Sequence, residues 1–144
     1  MTKKIMLIGQ SECGKTSLIQ ALKHQPLEYK KTQMLDFSFS AIDTPGEYLE
    51  SPRFYPALIN TSYDADIIAF IQSADCHHSL FAPLFAKAFN RPVIGIITKT
   101  DTLNGSYPQY AKQQLINAGI NEFFITSSYH GVGIKQLRQY LNWD

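Results

Sequence analysis

Two cysteines, Cys13 and Cys76, are all that the sequence offers for covalent cross-linking, and with so few no disulfide framework is expected. Charge of one sign is lacking as well: 13 Lys and Arg stand against 12 Asp and Glu, a formal net charge of +1. That balance excludes the broad basic field that draws proteins to nucleic acid or anionic lipid, and the Lys3-Lys4 and Lys30-Lys31 pairs are too short to make a patch. No apolar run approaches the roughly 18 residues a membrane span needs. The first strand is expected to begin almost at Met1, which leaves no room for a targeting segment. Internal repeats, low-complexity tracts and linkers are absent too. The expectation is a soluble protein of a reducing cytosol, with neither a nucleic-acid partner nor a membrane span.

What is present is a core. With 44% hydrophobic and 17% charged residues in 144, the chain is expected to fold as one domain over residues 1–144. Its organising stretch is Gly9-Gln10-Ser11-Glu12-Cys13-Gly14-Lys15-Thr16-Ser17, which satisfies the phosphate-loop pattern G-x-x-x-x-G-K-[ST]. An apolar run, Ile5 to Ile8, precedes it, and a helical pattern of Leu18, Ile19 and Leu22 follows. In that setting the two glycines permit a tight loop whose N–H groups turn inward at a helix N-terminus, a cradle for an anion. Lys15 supplies a cation for β and γ phosphates, and the Thr16 hydroxyl a hard oxygen for Mg2+. Cys13 lies at a helix N-terminus, a place that lowers a thiol pKa, yet a small buried side chain fits it better than a redox role.

Along the chain, residues 15–24 read as a helix ended by Pro26, residues 27–33 as a loop, and residues 34–42 as one or two short strands. The stretch up to Ser62, with Pro52 and Pro56, is expected to be irregular, with at best a short helix from Pro56. Continuous apolar runs at residues 67–71, 93–97 and 123–125 mark strands buried on both faces. Helical spacing recurs in Leu80, Phe81, Leu84, Phe85 and Ala88, in Tyr107, Ala111, Leu115 and Ala118, and in Ile134, Leu137 and Leu141. Alternating strands and helices predict an α/β three-layer fold, a mostly parallel sheet with helices on both faces. Ligands of such sheets sit at the carboxyl ends of the strands. Polar clusters fall at those ends, in residues 9–16, 43–47, 98–101 and 126–131.

Asp43, at a strand end, could hold a water of the Mg2+ shell across from Thr16, and Gly46 could present its N–H to a terminal phosphate. An Asp-Thr-Pro-Gly turn is weak alone, since such residues make turns everywhere, and gains weight from the phosphate loop upstream. Thr32 is either a second metal hydroxyl or a loop threonine facing water. In Thr98-Lys99-Thr100-Asp101 the carboxylate can accept two hydrogen bonds from guanine, a donor pair adenine lacks, with the Lys99 stem along the base plane. Hydrogen bonds to a charged group contribute about 1.5 to 3 kcal/mol, enough to discriminate between bases. Ser127-Ser128-Tyr129-His130-Gly131-Val132-Gly133 could turn backbone N–H groups toward the base, or could simply cap the final helix. Asp75-Cys76-His77-His78 carries metal-ligand residue types, but adjacent side chains do not easily converge on one tetrahedral ion.

The series of phosphate loop, threonine loop, D-T-P-G, T-K-x-D and S-S-x-x-G-x-G resembles the Ras-like P-loop GTPases across nearly the whole chain. Lys31-Thr32-Gln33, Asp43-Thr44-Pro45-Gly46-Glu47-Tyr48, Pro52-Arg53-Phe54-Tyr55, Ala57-Leu58-Ile59 and Ile97-Thr98-Lys99-Thr100-Asp101 resemble, more narrowly, the EutP/PduV family of ethanolamine and propanediol utilisation. The resemblance implies a P-loop NTPase fold in a bacterial cytosolic protein associated with microcompartments. It also implies GTP or GDP with Mg2+ as ligands and a pathway protein as partner. ATP-dependent acetate phosphotransfer and a non-enzymatic, nucleotide-regulated interaction module are the alternatives it leaves. Lys15, Gly46 and Glu47 take the catalytic places. Glu47 stands where many GTPases place glutamine, and its charge opposes that of a γ-phosphate; Glu12 adds another carboxylate. Thr98 replaces the commoner asparagine, which is expected to remove an amide that braces the phosphate loop. Arg53 is the one candidate for an arginine finger. Turnover on the order of 10⁻⁴ to 10⁻² per second is expected for an unassisted member of this class.

Overall fold

The structure, a computed structural model, describes residues 2–10, 13–23, 40–76, 81–103 and 108–143. Five parallel strands, β1 (Ile5–Ile8), β2 (Ala41–Asp43), β3 (Ile67–Ser73), β4 (Val93–Thr98) and β5 (Phe123–Ile125), form a sheet in the order β2-β1-β3-β4-β5. The helices are α1 (Lys15–Leu22), α2 (Glu47–Glu50), α3 (Tyr55–Ser62), α4 (Gln109–Asn117) and α5 (Ile134–Tyr140).

β1, β2 and β3 are buried at every position, as the continuous apolar runs require, whereas β5, expected to be buried on both faces, is only half-buried because it forms an edge of the sheet. Alternate residues of β1 feed two cores. Ile5 and Leu7 pack with Leu18 and Leu22 of α1 and Leu137 of α5. Met6 and Ile8 face the opposite way, toward Leu49 of α2, Leu58 of α3 and Leu115 of α4. This is the expected three-layer α/β arrangement. α1 and α5 are further joined where the Arg138 guanidinium donates to the Leu22 carbonyl at the end of α1.

Two helix expectations fail. Residues 47–54 are mostly helical rather than irregular: α2 is followed by a 3₁₀ turn over Pro52–Phe54, and α3 then supplies the short helix expected from Pro56. Pro52 and Pro56 both sit in the opening positions of these elements, where the missing N–H would have no intrahelical partner anyway. Conversely, residues 81–88 form no α-helix but only a 3₁₀ turn over Phe85–Ala88, entered through Leu84 in a left-handed conformation with φ 59°. The four-residue repeat there serves an aromatic cluster instead. Phe81, Phe85 and Phe89 gather around Phe70 of β3 with ring centroids 4.5, 5.6 and 5.8 Å away.

Candidate functional site

β1 lies between β2 and β3, so the chain leaves it toward one edge of the sheet and returns to the other. Ligands of such sheets bind in the crevice at a reversal of this kind, and Gly9 and Gln10 follow β1 there, with Cys13 and Gly14 leading into α1. Gly9 has no space for a side chain: a Cβ would lie 2.6 Å from Cys13 Sγ and 2.9 Å from the Ile71 carbonyl of β3. Its glycine lets the loop close against the neighbouring strand.

Lys15 opens α1 with only 6% of its surface exposed. Its ammonium donates to the Gly9 carbonyl at 2.9 Å and the Gln10 carbonyl at 3.2 Å, with Cys13 Sγ at 3.8 Å. The charge is thus held over the loop by the loop's own oxygens. Cys13 is buried, and that burial pushes its thiol pKa up, with the Lys15 charge opposing. It is a packing residue and not an activated nucleophile. Ser17, one position beyond Thr16, is half-buried in α1.

Across the switch point, Thr16 Oγ1 donates to Asp43 Oδ2 at 3.3 Å, bringing a hydroxyl and a carboxylate together from α1 and β2. Asp43 is buried, and its Oδ1 accepts no hydrogen bond in the described structure. A hydroxyl and a carboxylate at this separation are hard oxygen donors of the kind Mg2+ takes, so these residues fit the ion. Thr44 fixes the chain just beyond, donating to the Leu7 carbonyl at 2.7 Å. Gly46 is buried in a right-handed conformation at the head of α2, and Glu47, the first residue of that helix, is exposed. Arg53 lies over the Phe54 ring, 4.8 Å from its centroid, and Phe54 in turn stacks on Tyr48 at 4.7 Å.

The expected loss of a brace at Thr98 is corrected. The Thr98 hydroxyl donates to the Cys13 carbonyl at 2.5 Å, tying the end of β4 to the phosphate loop. The short side chain suffices because Gly14 carries none: a Cβ there would stand 3.3 Å from Thr98 Oγ1. Sequence reasoning missed this, and the signal was available in the pairing of Thr98 with a glycine before Lys15.

Beyond Thr98 the chain turns sharply. Lys99 has φ 59°, an unfavourable conformation for a residue with a side chain. Its carbonyl is held by the Thr102 amide at 3.0 Å and the Thr102 hydroxyl at 2.7 Å. Asp101 is exposed, and Ser127 Oγ, itself buried, donates to its Oδ1 at 2.7 Å. The loops after β4 and β5 therefore meet, as their positions in the chain predict. Ser128 follows, half-buried.

The structure thus brings together Gly9, Cys13, Gly14, Lys15 and Thr98 around one loop, Thr16 with Asp43, and Asp101 with Ser127. Ser11, Glu12, Thr32, His77 and His78 lie outside the described residues, as do residues 24–39. Among the described residues no group of three or more His, Cys, Asp and Glu could hold a metal ion, and no helix is long and apolar enough to cross a membrane.

Comparison with known proteins agrees with this geometry. The chain is 44% identical over 140 residues to the propanediol utilization protein PduV of Citrobacter freundii, covering 97% of this chain and 93% of that protein. It is 34% identical over 142 residues to a probable acetate kinase, EutP, of Escherichia coli, covering 96% of this chain and 89% of that one. Among solved structures, Aquifex aeolicus Era bound to GDP·AlF4− superimposes with a TM-score of 0.67 at 18% identity. That match covers 99% of this chain and 57% of the Era chain, and it shows that the fold is that of a P-loop GTPase domain. The profile of the family described as "Ethanolamine utilisation - propanediol utilisation" matches residues 2–143, and the chain belongs to that PduV-EutP family.

Proposed function

We propose that this chain is a Mg2+-dependent guanine-nucleotide-binding protein with weak GTP hydrolysis, working in the bacterial cytoplasm with the proteins of ethanolamine or propanediol utilisation and their microcompartments. The observation that carries the reading is the Ser127 to Asp101 hydrogen bond, 2.7 Å long, which orients an exposed carboxylate at the carboxyl edge of the sheet. A carboxylate held this way offers acceptors to the N1–H and exocyclic amine of guanine. Adenine has no matching donor pair.

The phosphate-loop motif and the family resemblance support the remaining roles. The loop from Gly9 to Gly14 and the Lys15 ammonium receive the polyphosphate, with Ser11, Glu12 and Ser17 in the same cradle. An incoming phosphate oxygen competes with the carbonyls that now hold the ammonium. Thr16 and Asp43 would hold Mg2+, with Thr32 as a further ligand, and the ion would supply positive charge to the phosphates. Gly46 and Glu47 stand at the head of α2, three and four residues beyond the metal carboxylate. A carboxylate in place of glutamine orients water poorly beside a phosphate of like charge, which is why hydrolysis is slow.

Thermal-shift measurements with GTP, GDP, ATP and ADP, with and without Mg2+, test this. The guanine nucleotides stabilise the protein and Mg2+ strengthens the effect. Equal stabilisation by ATP and GTP contradicts it.

One relative's description favours a second reading. If the chain shares the activity in the name of the Escherichia coli relative, it transfers phosphate from ATP to acetate. A coupled assay for acetyl phosphate separates the two. Binding without turnover in either assay would leave a nucleotide-regulated interaction module.

A further inference from the structure

We propose that Tyr129 is an aromatic platform on which the base of the bound nucleotide stacks, so that one residue holds the base while another selects it. This rests on the nucleotide-binding reading above and assigns a binding residue that the phosphate loop and the Asp101 loop do not supply.

Tyr129 is the most exposed large apolar side chain among the described residues, at 75%. A single exposed tyrosine is ordinary on a protein surface; its address sets this one apart. It lies two residues after Ser127, whose hydroxyl is the partner of Asp101. Two residues of chain span at most about 7 Å, so the Tyr129 backbone cannot be far from that pair. The two ends of its loop are also tied together. Ser127 and Val132 exchange reciprocal hydrogen bonds of 3.0 and 3.1 Å that close the neck of the loop, and the Thr126 amide anchors that neck to the Ile97 carbonyl of β4 at 2.8 Å.

The other loop carries a matching feature. Lys99 lies two residues before Asp101, in a strained conformation that the Thr102 contacts hold in place. The Asp101–Ser127 pair is therefore flanked in sequence by a long aliphatic stem on one loop and an aromatic ring on the other. A carboxylate reads a purine along its edge and leaves the two faces of the ring to be covered. An aromatic side chain covers a face without regard to the identity of the base, because every base presents a π surface. A tyrosine fixed by only two side-chain torsions does so with little loss of conformational freedom.

The test is calorimetry of GDP, ADP and inorganic tripolyphosphate with Mg2+ on the wild type, Tyr129→Ala and Tyr129→Phe. Tyr129→Ala weakens GDP and ADP binding by a similar factor, about 5- to 150-fold. Tyr129→Phe matches the wild type, and tripolyphosphate, which has no base, binds all three proteins alike. Unchanged GDP affinity in Tyr129→Ala overturns the proposal, and so does a loss for tripolyphosphate as large as that for GDP. Equal wild-type affinities for GDP and ADP would instead count against base selection by Asp101, while a loss of both nucleotides in Tyr129→Ala would still establish the platform.

Discussion

The Thr98 hydroxyl lies 2.5 Å from the Cys13 carbonyl, and through that bond the end of β4 is fastened to the chain just before α1. Both groups are buried, so the bond forms where water does not compete for it. Thr98→Val keeps the shape and leaves the carbonyl without its donor. The expected cost is about 1–3 kcal/mol, read as a fall of roughly 2–4 °C in Tm for each kcal/mol. Thr98→Ser should retain most of the stability. Differential scanning calorimetry of the three proteins checks this, and an unchanged Tm in Thr98→Val would remove the brace from the account.

Lys15→Ala should abolish the stabilisation that guanosine phosphates confer while leaving a folded protein. Among the described residues the ammonium bonds to loop carbonyls and a thiol, so its loss takes away the loop's cation without opening either core. Circular dichroism and thermal shift measured together separate the two effects. A variant that still gains several degrees with GDP and Mg2+ would contradict the role given to Lys15.

Cys13 and Cys76 should differ in reactivity. Burial raises the Cys13 thiol above its ordinary 9.0, whereas Cys76 is half-exposed, its sulfur accepting from the Gln10 amide at 3.1 Å. Iodoacetamide at pH 8 is expected to label one cysteine in the native protein and both after denaturation. A native-state pKa above the unfolded value means that the unfolded chain loses the proton first. The contribution to stability is complete below 9.0 and is lost as pH rises through the native value. Tyr140, raised by burial and by Glu122, acts in the same direction from a higher starting point. The difference between wild type and Cys13→Ala in urea midpoint above pH 9 therefore isolates the thiol.

Ser127→Ala removes the donor that orients Asp101 and should weaken GDP binding by about tenfold or more, the worth of a hydrogen bond to a charged group. ADP binding, which does not use that carboxylate, should change much less. Equal losses for the two nucleotides would mean that Ser127 merely supports the loop.

Much of this was legible in the sequence because burial on both faces leaves a strand no polar positions. Ile5 to Ile8, the run within Ile67–Ser73 and Val93–Thr98 could hardly be read otherwise, whereas Phe123–Ile125 is a strand as expected but an edge strand, half-buried and not covered on both faces. The phosphate loop was legible for a different reason, since its glycines and lysine are demanded by contacts at fixed spacing. Periodicity misled at residues 81–88, where a four-residue repeat of phenylalanine fills a pocket around Phe70 from an irregular chain. Proline misled at residue 52, which opens a helical segment instead of preventing one, while Pro56 opens the short helix expected of it. The Thr98 brace was missed because it depends on a distance between two loops, and its one sequence signal, a glycine at position 14 that leaves room for a short side chain, shows only when the two loops are considered together.

The central claim is that Asp101, oriented by Ser127, selects guanine at the carboxyl edge of this sheet. Isothermal titration of GDP and XDP, in Mg2+, into wild type and Asp101→Asn tests it most directly. The account predicts that the wild type prefers GDP by about tenfold or more and that Asp101→Asn reverses the preference toward xanthine. The same order of affinities in both proteins would contradict it.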